Sequence, residues 1–153
     1  MTIEQTASAV AILAATALFL PASANAGGRP LTDWVGSWSL GAEQTIDISL
    51  EEGSLLVVDG YATYGARDPE RVAQGSVQVA SFFARITRGQ VEAGEVIRFT
   101  IDGDTVLPFA VADGSLCKVE LKLEWPKLRA RDNGRCGGAN VSFTGLYAAP
   151  YKK

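Results

Sequence analysis

The sequence predicts an all-β protein, an antiparallel barrel of about eight short strands with one short helical loop and one disulfide. Three observations predict it. Apolar and polar residues alternate with period two through nearly all of the chain after Gly27, the pattern of strands with one face in a core and one in water. Turn signals separate the alternating runs: Glu51-Glu52-Gly53-Ser54, Glu92-Ala93-Gly94-Glu95, Asp102-Gly103-Asp104 and Asp113-Gly114. Finally, a strictly alternating stretch from Cys117 to Glu124 is followed by Trp125-Pro126, then by Lys127 to Arg131, then by Asp132-Asn133-Gly134-Arg135-Cys136. It reads as a hairpin turning at Trp125-Pro126 with a cysteine near each open end.

The chain opens on a targeting segment. Ala7 to Leu20 is apolar and uncharged, Pro21 ends any helix, and Ala24-Asn25-Ala26 is a small-x-small cleavage site before Gly27. Residues 1–26 therefore read as a signal peptide and 27–153 as one β-barrel domain, exported to the periplasm or secreted. The start, Met1-Thr2-Ile3-Glu4-Gln5, lacks the usual basic residue, so either the start codon lies elsewhere or the export signal is weak. An uncleaved anchor is the alternative, but the apolar run falls short of the roughly 20 residues a span needs. After cleavage no stable membrane span is expected.

The strands follow in order. Gly36 to Leu40 is the first. Thr45 to Leu50 points Ile46, Ile48 and Leu50 inward. Leu55 to Tyr64 is the third, with a bulge or bend at Gly60. Gly65 to Gly75 breaks the rhythm: Asp68 caps a helical turn, Pro69 suits its first position and Gly75 ends it. Ser76 to Arg88 returns to strand. There Val77 and Val79 share one parity and Phe82, Ala84 and Ile86 the other, which predicts a bulge near Ala80-Ser81 or a strand bent around a barrel. Ile97, Phe99 and Ile101 line the next strand, and Leu107, Phe109 and Val111 the one after Asp102-Gly103-Asp104. The cysteine-flanked hairpin comes next, and Asn140 to Tyr147 is last, with Val141, Phe143 and Tyr147 on one face. No helical run separates the strands, so parallel β-α-β units are excluded. Closure into a barrel removes exposed edges.

Composition limits function. The formal charge of −3 includes Glu4, so the exported part carries about −2; a weakly acidic chain is a poor nucleic-acid binder. The two cysteines of an exported chain are expected to pair, Cys117 with Cys136 by the hairpin register. There is no histidine, which excludes His-assisted serine or cysteine nucleophiles, and two cysteines alone make no zinc site. The acid pairs Glu51/Glu52 and Asp102/Asp104 lie in turns, where carboxylates are solvated. No catalytic residue, cofactor or metal is expected, and the chain is read as a non-enzyme.

Candidate binding residues come from two places. Tyr61 and Tyr64 flank the helical loop and, with Arg67 and Arg71, form a binding rim or pack under the loop. Trp125, at the hairpin tip, is either core or an exposed contact.

Gly36-Ser37-Trp38 resembles the Gly-x-Trp signature that opens lipocalin and avidin-type barrels. The resemblance implies that Trp38 closes one barrel end. The ending from Asp132 to Tyr147 (Asp-Asn, then Cys-Gly-Gly, then Asn-Val-Ser-Phe-x-Gly-x-Tyr) resembles that of small uncharacterised secreted proteins of proteobacteria, some labelled lysozyme-inhibitor-like. Periplasmic lysozyme inhibitors carry a Ser-Gly-x-Tyr loop that enters the enzyme's cleft. Thr144-Gly145-Leu146-Tyr147 is similar, with Thr for Ser, so Thr144 and Tyr147 join the candidates. The competing reading has Gly145 relieving crowding in the barrel and Tyr147 filling the core.

The expected function is an exported binding protein whose partner is a small ligand in the barrel mouth or a protein on the loop face. A periplasmic inhibitor of lysozyme is the alternative. A hollow barrel with a polar-lined cavity favours the small ligand; a filled one with a protruding acidic or Tyr-bearing loop favours inhibition; a buried carboxylate pair in a cleft would favour an enzyme.

Overall fold

The alternating runs become strands because their apolar positions share one face and can all be buried together. The computed structural model describes residues 28–110 and 113–149; the predicted targeting segment and Val111 lie outside them. Ten strands form: β1 Gly36–Leu40, β2 Gln44–Glu51, β3 Leu55–Tyr64, β4 Gln78–Thr87, β5 Val91–Glu92, β6 Val96–Asp102, β7 Thr105–Pro108, β8 Cys117–Glu124, β9 Lys127–Asp132 and β10 Gly145–Ala148. Nine run side by side in the order β4-β3-β2-β1-β10-β9-β8-β6-β5, a nearly closed antiparallel barrel, and β7 pairs with β6 next to β5. One helix, α1 (Pro69–Ala73), joins β3 to β4, its Asp68 side chain accepting from the backbone N–H groups of Glu70 and Arg71 as an N-cap does.

The sheet is two meanders joined by the last strand. β1 to β4 pair in sequence, as do β8 and β9 beside β6. β10 lies between them, Ser39 opposite Ala148 on one side and Tyr147 opposite Leu128 on the other.

The interior is filled. Trp34, Trp38, Phe99, Phe143 and Tyr147 are the largest of the side chains exposed by less than 2 %. Phe82 packs against Phe143 and Phe99, with ring centroids 4.6 and 5.8 Å away. At one barrel end Trp38 is buried, its Nε1–H donating to the Trp34 carbonyl at 2.9 Å, and the Trp34 Nε1–H donates to Glu95. A short 3₁₀ turn, Leu31–Asp33, brings Trp34 to this position. Trp125 stands edge-on to Trp38 at 6.1 Å and is 42 % exposed, so it is half core and half surface.

Cys117 and Cys136 are bridged, with Cα atoms 4.5 Å apart, inside the roughly 7 Å a disulfide tolerates.

Four details differ from the sequence reading. A short strand, β5, forms at Val91–Glu92, where two residues are too few to show alternation. β4 has no bulge: it pairs with β3 in unbroken register from Leu55↔Thr87 to Tyr64↔Gln78. The apparent parity switch arises because Val79 faces outward, half exposed. Gly60 likewise marks no bulge. It sits opposite Phe82, whose ring would lie 2.2 Å from a Cβ at that position, so the glycine makes room for an aromatic. The last strand is confined to Gly145–Ala148, because residues 141–144 are held by side chains instead of a ladder.

Candidate binding face and the C-terminal lock

The familiar-looking ending is a structural lock. The Asp132 carboxylate accepts from the Phe143 N–H at 2.6 Å, the Ser142 hydroxyl at 3.0 Å, the Gly134 N–H at 3.1 Å and the Thr144 hydroxyl at 3.3 Å. In return Thr144 Oγ1 accepts from the Asp132 N–H at 3.0 Å. Asn133 ties down the other side, accepting from Lys118 N–H and donating to the Leu116 carbonyl at 2.7 Å. Gly137 makes an isolated bridge to Ala80 on β4, and a Cβ there would fall 2.1 Å from that of Ala80. Gly145 lies against Leu40 just as closely. Each position of the Asp-Asn, Cys-Gly-Gly and Ser-Phe-Thr-Gly pattern thus has a packing or hydrogen-bonding role.

Thr144 and Tyr147 do not form one presented loop. Thr144 is exposed, whereas Tyr147 is fully buried and its hydroxyl donates to the Phe143 carbonyl at 2.9 Å. Tyr147 is therefore no partner-facing anchor; it fills the core. Burial, and secondarily the negative charge of Asp132, push its phenol far above the usual tyrosine range. The sign is fixed: the folded chain keeps this proton at pH values where an unfolded tyrosine loses it. Stability is thus complete below about pH 10 and is expected to fall above it by about 1.4 kcal/mol per pH unit. Urea melts of wild type and Tyr147→Phe at about pH 9, 10.5 and 11.5 check this. Wild type should lose stability more steeply than the variant, and parallel losses would refute the linkage.

With the interior filled, binding residues must be sought outside. Among the described residues seven large apolar side chains are exposed, and five of them belong to three consecutive elements: Tyr61 and Tyr64 on β3, Val72 on α1, Val79 and Phe83 on β4. Tyr61, Val79 and Phe83 are each close to half exposed. They lie on the outward parity of β3 and β4, where Asp59 pairs with Phe83 and Tyr61 with Ser81. Isolated exposed apolar residues are ordinary; a contiguous group on a rigid sheet is the mark of an interaction surface.

Of the residues singled out in the sequence, Tyr61 lies on this outward face, while Tyr64, of the inward parity at the end of β3, meets Arg71 at the loop. The Arg71 guanidinium lies 4.8 Å from the Tyr64 ring centroid, its Nε 3.5 Å from Asp68. Gly65, at φ +80°, lets the arginine through, since a Cβ would meet Arg71 Cδ at 2.5 Å. Arg67 joins only by its backbone, whose N–H donates to Glu43. Trp125 and Thr144 are on other elements, the β8–β9 tip and the segment before β10.

Val79 and Phe83 escaped the sequence reading because outward apolar residues look like a change of strand parity. The electrostatics of the face also depend on pairing. Asp47 stands opposite Asp59 across β2 and β3, an unfavourable like-charge pair, and neither carboxylate forms an ion pair or hydrogen bond among the described residues.

The opposite outer face, on β6, β8 and β9, is a mutually satisfied ladder. Arg98 bridges Glu92 and, at 2.7 Å, Glu120; Arg129 grips Glu124 at 2.9 Å, which Lys122 also approaches at 3.4 Å. Accordingly the Glu124 carboxyl lies below its usual range, held by Arg129 first and Lys122 second. This arrangement is a solvated, salt-bridged surface. Among the described residues no group of three or more Asp, Glu, Cys or His side chains is placed to hold a metal, and no helix is long and apolar enough to cross a membrane. Comparison with known protein families, with curated proteins and with solved structures finds no match to this chain.

Proposed function

We propose that this is an exported, non-enzymatic binding protein that engages a protein partner through the outer face of β3, α1 and β4. The observation that carries the reading is the grouping of exposed Tyr61, Val79 and Phe83 on the outward parity of β3 and β4 while the barrel interior is filled. A filled barrel leaves a small internal ligand no room, so recognition moves to the surface. Export rests on the targeting segment read in residues 1–26 and is supported by the Cys117–Cys136 bridge, which belongs in an oxidising compartment such as the periplasm or the extracellular space.

The test is a paired comparison. Wild type and a Tyr61→Ser, Phe83→Ser double variant are immobilised and offered the native periplasmic or culture fluid. Truncating aromatic anchors at an interface costs about 2 kcal/mol or more, so a partner held by wild type should bind the variant about thirtyfold more weakly. The variant's melting temperature should stay within a few degrees of wild type, because both side chains face outward. If every retained protein is held equally well by the variant, this face is not the binding surface.

Inhibition of lysozyme is the second reading, supported by the resemblance of the ending and by the exposed Thr144. With Tyr147 in the core, such inhibition would work through other side chains. Lysozyme that keeps full turnover at micromolar concentrations of the purified protein would remove this reading and leave the first intact.

A further inference from the structure

β4 is a ten-residue edge strand with a bare outer side. One side pairs with β3 along its whole length; the other meets only the single Ala80–Gly137 bridge among the described residues. Across the seam, β5 and β7 take up the free edge of β6 with two and four residues, and β4 comes near β6 without pairing to it. Between the two sides is a cleft of about 240 Å³ whose lining includes Asp59, Ser81, Phe82, Phe83, Ile101 and Asp104. Natural edge strands are blunted by prolines, lysines, inward charges, bulges or extreme shortness. β4, Gln78–Thr87, is long and unbulged and carries no proline or lysine, and its one charge, Arg85, faces outward and is 3.6 Å from Glu51.

We propose that the β4 edge accepts an extended segment of a partner protein as an added strand, and that this segment alternates apolar with cationic side chains. The proposal rests on the reading of the β3–β4 face as the binding surface and names what binds there. Backbone groups along β4 supply main-chain hydrogen bonds, and alternation sends every second side chain to the same side. Inward-pointing residues of the added strand meet Phe82 and Ile101 across the seam. Outward-pointing ones continue the row Asp47–Asp59–Phe83, where two unpaired carboxylates and an exposed ring wait on one side and Asp104 on the other. Asp59 and Asp104 have no cationic partner within 4 Å among the described residues, so a lysine or arginine of the added strand gains a carboxylate there; the Phe83 ring itself already carries Arg85, 5.3 Å from its centroid. A second copy of this chain fits less well, because β4 brings only Arg85, which Glu51 already engages.

The probes are eight-residue alternating valine–lysine and valine–glutamate peptides and a valine–lysine peptide N-methylated on alternate amides, each added to the intact protein. Amide hydrogen exchange is followed residue by residue. The valine–lysine peptide should slow exchange at alternate β4 amides at least about tenfold. An Asp59→Asn, Asp104→Asn double variant should bind it about tenfold more weakly, and the N-methylated peptide should not protect β4. No added protection at millimolar peptide, or equal protection by the valine–glutamate peptide, would overturn the proposal. So would β4 amides that become protected with protein concentration alone, which would assign the edge to a second copy. If β4 does not respond to peptide while the Tyr61→Ser, Phe83→Ser variant still loses its partner, the face binds by side chains only; strand addition fails and the binding reading survives.

Discussion

Trp38→Ala is expected to destabilise the protein by about 3–5 kcal/mol, the usual loss when a large aromatic leaves a core. Trp38 is fully buried, packs edge-on beneath Trp125, and spends its indole N–H on the Trp34 carbonyl. Removing it opens a void at the end of the barrel, uncovers Trp125 and leaves a buried carbonyl unpaired. Its contacts with Trp125 and with the Trp34 carbonyl are lost together. Denaturant melting of wild type and variant gives the number. A change within about 0.5 kcal/mol is what a surface residue gives, and that result would remove Trp38 from the role of barrel plug.

The second large effect is expected at Asp132. Its carboxylate accepts four hydrogen bonds from the segment that leads into β10 and from Gly134. A single hydrogen bond to a charged group contributes about 1.5–3 kcal/mol, but these share one partly exposed carboxylate and will not sum. Asp132→Ala is therefore expected to cost about 2–4 kcal/mol, with exchange speeding first in residues 141–148. Asp132→Asn keeps one acceptor oxygen and should fall between wild type and Ala. Should both variants melt like wild type with an unchanged exchange pattern, the lock described for this ending would be wrong.

How much of this was readable from residues alone follows from the range over which each interaction acts. β1 and β3 were legible to the residue, because burying one face of a strand imposes period two locally. The helical turn was legible because Asp68, Pro69 and Gly75 act within a few residues of one another. The disulfide was legible because a hairpin brings its own ends together. The Asp132 lock joins residues ten to twelve apart through side chains, and no periodicity records that. The bridge from Gly137 to Ala80 and the space Gly60 leaves for Phe82 depend on strand partners the sequence does not name. The binding face was half legible. Tyr61, Tyr64 and Arg71 stood out beside an irregular loop, but Val79 and Phe83 join Tyr61 only once the register of β4 against β3 is known. At the Thr144–Tyr147 motif the competing reading holds: Gly145 makes room beside Leu40 and Tyr147 fills the core, while Thr144 alone is exposed.

The place of β10 between β1 and β9 bears on how the protein comes to be folded. Each meander is made of neighbours in sequence and can start to form as soon as its own residues are available. The pairing of Ser39 with Ala148 spans most of the chain, and closing so long a loop is entropically slow. Until Gly145–Ala148 is delivered, β1 and β9 are both unpaired edges with half a core exposed between them. A polypeptide emerging from its amino end, whether from a ribosome or through an export channel, must pass through that state. The assembly is therefore expected to lean on whatever shields nascent chains, and to commit to its native shape in one late step, once Gly145–Ala148 has appeared.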